Sequence, residues 1–144
     1  MRHVVSALCT RALIDQVTQS VSLIELIDSV AGPIDSHTEG AFPLAADFLT
    51  IWSREDLQKP ETSRGRLSLF NASNQAIGEP LVYEVDLTVV QRSRNVTRFP
   101  GFPFRGTGLH RLVVEVEAQD GGWRPVGEWP LMILAVTAEA AGLT

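Results

Sequence analysis

The sequence predicts an all-β protein, an antiparallel β-sandwich of about seven or eight strands of the immunoglobulin-like or C2-like kind. Residues 81–90 and 112–119 alternate apolar and polar side chains with a period of two, which is the pattern of a strand with one buried face. Strand-like runs and turn residues also recur about every ten residues, as is typical of a sandwich. No repeat or linker interrupts the chain, so we expect a single domain over residues 1–144.

The first thirty residues fit two different structures. Val17, Val21 and Ile24 lie at helical spacing, which leaves an α+β fold with an N-terminal helix as the alternative. The β-branched residues and the polar stretch 15–20 favour two strands joined by a turn. We therefore expect strand–turn–strand at the start of the chain.

The middle of the chain predicts two more strands. One covers residues 48–52, and the other covers residues 66–70 and ends in the turn residues 71–74. The polar stretch 53–63 is expected to be the loop that joins them.

The last part of the chain predicts a hairpin. Asp120, Gly121 and Gly122 form a turn signal directly after the second alternating strand, and the return runs are residues 123–126 and 131–136. Pro130 lies between these two runs. Because proline has no backbone N–H to donate, we expect a bulge or an edge position there.

Composition and charge limit the classes of function. The chain is 44% hydrophobic and 20% charged, which is the balance of a folded globular protein. Its net charge of −5 argues against binding to nucleic acid or to an anionic membrane. The charges are unevenly placed: residues 12–53 contain six acids and no Lys or Arg, whereas residues 91–111 contain five arginines and no acid. These two segments are expected to pair within one molecule or between neighbours in a homo-oligomer.

Cysteine content and hydropathy bear on location. Cys9 is the single cysteine, so the chain cannot form an internal disulfide, and a reducing cytoplasm is the simpler expectation. The N-terminal apolar run is too short for a secretory signal, and no run approaches the roughly 18 apolar residues of a membrane span. We expect a soluble, cytoplasmic protein.

The sequence contains no recognisable catalytic, cofactor-binding or metal-binding motif. His3, His37 and His110 lack metal-ligand spacing, and Cys9 is expected to be a buried, inert thiol. There is no nucleophile elbow and no phosphate-binding glycine loop. Two pairs of carboxylates are interpreted as solvated outer faces of strands: Glu84 with Asp86, and Glu115 with Glu117. We therefore predict no enzyme activity and no cofactor.

Segment 91–106 is the most distinctive part of the sequence. It interleaves arginine with phenylalanine among prolines and glycines, a composition suited to cation–π contacts with a partner. The alternative is a long crossover loop between two sheets, whose phenylalanines fill the core and whose arginines are solvated or meet the acidic N-terminal half. The candidate partner-binding residues are Arg94, Arg98, Phe99, Phe102, Phe104 and Arg105.

The N-terminal pattern also carries a resemblance. Residues 8–10, a polar turn and then residues 22–28 resemble the first hairpin of a group of uncharacterised bacterial β-sandwich proteins with a Leu-x-Cys-Asp and Leu-Ile-Gly-Val-Phe pattern. Residues 108–112, followed by an Asp-Gly turn, are similar as well. This chain has Thr10 where an acid is usual and Glu25 where glycine is usual. The resemblance implies a sandwich fold and, because such proteins form a domain of unknown function, it implies no chemistry.

Two hypotheses about function follow. The first is a non-enzymatic protein-binding or assembly module, which uses an edge strand or the 91–106 loop to contact a protein partner or a second copy. The alternative is a small-ligand or carbohydrate-binding sandwich, in which Trp52, Trp123 or Trp129 stacks on a sugar ring.

Overall fold

The computed structural model describes residues 1–137, which form eleven β-strands in three sheets and no helix. The prediction of an all-β fold is confirmed. Residues 138–144 of the predicted domain lie outside the described residues. In chain order the strands are β1 (Arg2–Ile14), β2 (Val21–Leu26), β3 (Ser29–Gly32), β4 (Glu39–Phe42), β5 (Ala46–Ser53), β6 (Glu61–Phe70), β7 (Leu81–Leu87), β8 (Arg92–Phe99), β9 (Phe102–Arg105), β10 (Gly108–Glu117) and β11 (Trp123–Ala135).

The strand count exceeds the predicted seven or eight. The additional strands include β3, β4 and β9, which have four residues each and lie in stretches rich in glycine and proline. Such stretches resemble loops in the sequence. They become strands here because a neighbouring strand supplies backbone hydrogen bonds.

Sheet A is antiparallel and has the strand order β2-β1-β5-β8. Its first hairpin confirms the predicted strand–turn–strand, and the N-terminal helix is wrong. The Asp15 carboxylate accepts hydrogen bonds from the backbone N–H groups of Val17 (2.9 Å) and Thr18 (2.7 Å). Gln19 takes a positive φ of 60°, and the Asp15 N–H donates to the Ser20 carbonyl across the turn. The apolar residues at helical spacing do not form a helix because the side chain of Asp15 holds the backbone in a turn.

Sheet B has the order β3-β11-β10-β6-β7. The predicted hairpin joins β10 to β11, and Gly121 adopts the positive φ of 82° that this turn requires. The return segment is one strand and not two runs. Its bulge lies at Val126, where the register of β10 and β11 shifts. Pro130 pairs with Arg111 inside β11, and β3 begins to pair with β11 only from Met132, so Pro130 lies at an open edge.

The strands β6 and β7 also differ in length from their predictions. β6 begins at Glu61, so the predicted loop 53–63 is shorter than expected, and β7 ends at Leu87, which leaves Val89 90% exposed. The predicted turn after β6 is confirmed. The Asn71 side-chain oxygen accepts from the N–H groups of Ser73 and Gln75.

A third sheet joins β4 to β9. The predicted 91–106 loop is therefore wrong, because this segment consists of β8, a bend at residues 100–101 and β9. β8 pairs with β5 along its full length, and β9 pairs with β4, which lies in the acidic half of the chain.

The core lies between sheets A and B. Its largest fully buried side chains include Trp52 and Phe48 from β5, Phe102 from β9, and Leu112 and Leu131 from the β10–β11 hairpin. The strands of both sheets place one side of their alternating residues in this core, so the opposite sides form the two outer faces of the protein.

Candidate interaction surface

The outer face of sheet A is apolar at its centre. Strand register puts Ala7, Leu49 and Val96 in one row across β1, β5 and β8, on the face opposite to Phe48 and the core. The next row brings Val5 beside Ile51. Ala7 and Leu49 are buried at 3% and 1% exposure although they are not part of the core cluster, because their neighbours on this face cover them.

The apolar area continues to the edge strand β2. Leu26 pairs with Cys9 and Ile24 pairs with Arg11, which puts both aliphatic side chains on the same face. Leu26 is 59% exposed and Ile24 is 44% exposed, while Val5 and Val96 are 42% and 38% exposed. Large aliphatic side chains on the outer face of a sandwich are normally scattered, so a contiguous group is typical of an interaction site.

Arginines surround this apolar area, which we call the arginine-ringed face. In register on it are Arg2, Arg11, Arg92, Arg94 and Arg98. Within residues 1–137, the only acid in register with these arginines is Asp47, a residue that is 1% exposed. Its carboxylate accepts hydrogen bonds from Arg98 at 2.9 Å and 3.2 Å and from the Ala12 N–H at 2.9 Å. The hydrogen bonds from Arg98 lower the pKa of Asp47. Four of the five arginines form no ion pair within the described residues, so the face has a clear excess of positive charge.

The outer face of sheet B is built differently. Its charges pair across strands, with Arg64 to Glu117, Arg66 to Glu115 at 2.6 Å, and Arg111 to Glu128 at 3.4 Å. The guanidinium of Arg66 also lies 4.6 Å from the centre of the Trp123 ring. The predicted solvated carboxylates of β10 are therefore partners of arginines, whereas Glu84 and Asp86 on β7 are exposed. The three arginines of this face are therefore paired with its own glutamates.

The structure divides the predicted partner-binding residues into two groups. Arg94 and Arg98 lie on the arginine-ringed face. Phe102 and Phe104 are 0% and 5% exposed in the core, where Phe104 lies 4.5 Å from the ring of Phe42, so they form no part of a surface.

The other two predicted residues lie away from the centre of the face. Phe99 ends β8 and packs half-buried against the core, with its ring 5.3 Å from that of Phe102. Arg105 pairs with Glu39 on β4 at 3.2 Å. The pairing of Arg98 and Arg105 with Asp47 and Glu39 joins the basic segment to the acidic half within one molecule, which is one of the two arrangements that the charge pattern predicts.

Sequence reasoning missed the apolar residues of the face. Val5, Ile24 and Leu26 lie in strands that are apolar on both sides, so their periodicity does not reveal which side is outside. A signal was present in β8, where Arg92, Arg94, Val96 and Arg98 occupy alternate positions and must share a face. Treating the segment as a loop removed that signal.

The tryptophans do not form a stacking platform. Trp52 is completely buried, and its ring meets that of His3 edge-on at 5.6 Å. On β11, Trp123 pairs with Glu117 on the outer face, whereas Trp129 pairs with the core residue Leu112 and donates its indole N–H to the Ile27 carbonyl at 2.8 Å. Trp123 and Trp129 thus lie on opposite sides of sheet B.

His3 and Ser6 are a close pair of side chains of the kind that act in catalysis. The His3 imidazole lies 2.6 Å from the Ser6 hydroxyl, but neither residue lines the open grooves beside Ser63 and Ser73. Burial raises the pKa of the Cys9 thiol, which disfavours the thiolate that would act as a nucleophile, and burial lowers the pKa of His3. No cluster of three or more His, Cys, Asp or Glu side chains in residues 1–137 has metal-binding geometry. A groove of about 630 Å³ at one end of the sandwich is open and lined by groups such as Ser63, Glu117 and Gln119.

Comparison with protein-family models, curated proteins and solved structures found no match to the chain. The fold itself defines the class, an all-β protein of packed sheets. No helix in residues 1–137 is long and apolar enough to span a membrane.

Proposed function

We propose that this chain is a non-enzymatic protein-binding module that uses the arginine-ringed face as its contact surface. The observation that carries the proposal is the contrast between the two outer faces. Sheet B pairs its arginines with glutamates, whereas sheet A presents exposed aliphatic side chains within a ring of arginines of which four form no ion pair within the described residues. Interfaces combine an apolar centre with a polar rim, and arginine is enriched in them.

The charge of the face indicates the chemistry of the partner. A matching surface presents apolar side chains at its centre and carboxylates at its rim. A second copy that packed face to face would bring arginines against arginines, which opposes a two-fold dimer through this face. Assembly of identical chains would instead join this face to an acidic surface of the next copy, in a head-to-tail contact.

We also propose that the protein is cytoplasmic. The support is Cys9, a free thiol that is completely buried within sheet A and takes no part in a disulfide. A reducing compartment suits a chain with one cysteine.

Site-specific photocrosslinking in the native host tests the proposal. A photoreactive amino acid replaces Val96 on the arginine-ringed face, or Val82 on the outer face of sheet B as the control. Both valines lie on edge strands, and their exposures are 38% and 45%. We expect position 96, and not position 82, to form a defined crosslink to a protein whose reconstituted complex weakens as salt is added. Equal crosslinking at both positions, or none at position 96, would overturn the proposal.

Light scattering coupled to size exclusion separates the two kinds of partner. If the partner is a second copy, the purified chain forms an oligomer that loosens at high salt, and Val96→Asp abolishes it while Val82→Asp does not. A monomer at every salt concentration overturns the assembly version and leaves a different protein as the partner.

A further inference from the structure

The free edge of β8 is a binding feature in its own right. β8 pairs with β5 from Arg92 opposite Ser53 to Phe99 opposite Ala46, and no strand of residues 1–137 pairs with its other side. The strand has eight residues and contains no proline, and its register with β5 shows no bulge. Such an edge presents a row of backbone N–H and C=O groups that are ready to pair with a further strand.

The side chains along this edge carry a charge pattern. Arg92, Arg94 and Arg98 share one face of β8, and Val96 lies between them on the same face. Arg98 is held by Asp47, but Arg92 and Arg94 form no ion pair within the described residues. The Nε atom of Arg94 is shielded from solvent and has no hydrogen-bond partner there. A buried guanidinium N–H without an acceptor is costly, and no carboxylate of the described residues compensates the charge of Arg94.

The same pattern opposes pairing between two copies of β8. The antiparallel register that puts Val96 opposite Val96 brings Arg94 opposite Arg98 of the other copy. A shift of two residues in one direction brings Arg92 opposite Arg98, and the same shift in the other direction leaves only residues 95–99 of the strand paired. Like charges directly opposite each other destabilise a strand pair, so a second copy is a poor occupant of this edge.

We propose that β8 accepts an extended acidic segment of another protein as an additional antiparallel strand. This inference rests on the proposed function and specifies how the partner binds. Backbone hydrogen bonds supply affinity, and side chains at alternate positions supply specificity. Opposite Arg98, Val96, Arg94 and Arg92 in turn, the complementary strand reads Glu-x-Val-x-Glu-x-Glu, where x faces the other side.

A synthetic peptide tests the proposal directly. The probe is a fluorescent peptide that contains Glu-Thr-Val-Thr-Glu-Thr-Glu, and its binding to the full chain is measured by anisotropy at low salt. Two further peptides carry N-methyl groups on alternate residues. In the first peptide the methyl groups block one edge of the strand, and in the second they block the other edge. We expect the peptide methylated on one edge to bind like the parent and the other to lose binding, because only one edge donates to β8. Equal binding of both methylated peptides, or no binding of the parent, overturns strand addition.

Protein variants locate the bound peptide. Arg94→Glu is expected to weaken binding by about tenfold or more. The control Arg124→Glu, an exposed arginine on β11, is expected to leave binding within about twofold. If Arg124→Glu weakens binding as much as Arg94→Glu, the attraction is a general charge effect and the proposal fails.

The variant Val5→Asp separates this inference from the proposed function. Val5 lies on β1, with β5 between it and β8, at the centre of the arginine-ringed face. The Val5→Asp variant is expected to abolish the crosslinked complex at position 96, while the peptide still binds at the edge of β8. If a partner crosslinks at position 96 but the parent peptide does not bind, strand addition is wrong and the face proposal stands. If the peptide binds and no partner crosslinks, the face proposal fails alone.

Discussion

Asp47 and Arg98 form an ion pair in which one partner is buried and the other is exposed. The Asp47 side chain is 2% exposed and that of Arg98 is 66% exposed, and Asp47 also accepts from the Ala12 N–H. The pair joins three strands on the outer face of sheet A, because Asp47 lies in β5 between β1 and β8. A carboxylate desolvated on a sheet face requires such partners.

Replacement of Asp47 is expected to destabilise the fold. Asp47→Asn keeps the shape of the side chain but removes the negative charge to which Arg98 and the Ala12 N–H donate hydrogen bonds. Hydrogen bonds to charged groups contribute about 1.5–3 kcal/mol each at most, and exposure of Arg98 reduces this figure, so we expect a loss of about 1–2 kcal/mol in the free energy of unfolding. Urea unfolding measures it.

The same residue gives the protein a sensitivity to acid. Because the pKa of Asp47 is lowered in the folded state, the unfolded chain takes up this proton at a higher pH than the folded chain does. The stabilisation is therefore present at neutral pH and is lost as pH falls below about 4. Asp47→Asn should lose less stability than the wild type over that range. Parallel pH curves for the two proteins would contradict the assignment.

His110 is expected to contribute a second loss of stability, at higher pH. The ring is completely buried in β10, accepts from the Arg105 N–H through Nε2 and contacts the Gly108 carbonyl through Nδ1, both at 3.2 Å. These contacts suit the neutral ring with its proton on Nδ1.

Burial lowers the pKa of His110 below 6.5, so the unfolded chain protonates first as pH falls. Stability should therefore decrease as pH drops below about 6.5. Comparison of urea midpoints at pH 7.5 and 5.5 should give a smaller decrease for His110→Gln than for the wild type. The remaining decrease includes His3, whose pKa is lowered in the same direction by burial. A variant that loses as much as the wild type would show that His110 protonates freely in the fold.

Gly65 is expected to be intolerant of any side chain. A Cβ atom at this position would lie 2.6 Å from the ring of Tyr83, its partner across β6 and β7. The ring would have to move out of the packed space, so Gly65→Ala should cost about 1–3 kcal/mol. Gly40→Ala is the matched control in a strand, because its Cβ meets only the Phe104 ring at 3.9 Å. Thermal unfolding should show a large decrease in Tm for the first variant only.

Phe102 provides a test of the core. Phe102→Ala should cost about 3–5 kcal/mol because it leaves a cavity between the sheets. Val89→Ala, at a residue that is 90% exposed, should change stability by less than about 0.5 kcal/mol. Denaturant unfolding of both variants checks this. A small effect of Phe102→Ala would mean that this ring is available at the surface, as the partner-binding prediction requires.

The sequence by itself determined the strands that have one buried face. Leu112, Val114 and Val116 enter the core and alternate with residues of the outer face, so a period of two identified β10 without any knowledge of its neighbours. Turns with their own side-chain hydrogen bonds were equally accessible. Asp15 and Asn71 each close a turn from within a few residues, so local chemistry was sufficient.

Only the tertiary structure decided the roles of β5 and of the 91–106 segment. β5 is buried on both faces, with Phe48 in the core and Leu49 under the side chains of sheet A, so its sequence has no period that marks an outside. Phe102 enters the core because β9 pairs with β4, a strand about sixty residues earlier in the chain. The arginines of β8 define a surface only because β5 and β1 bring Leu49 and Val5 beside them. Strand pairing between distant segments determines which neighbours a side chain has, and no local pattern contains that information.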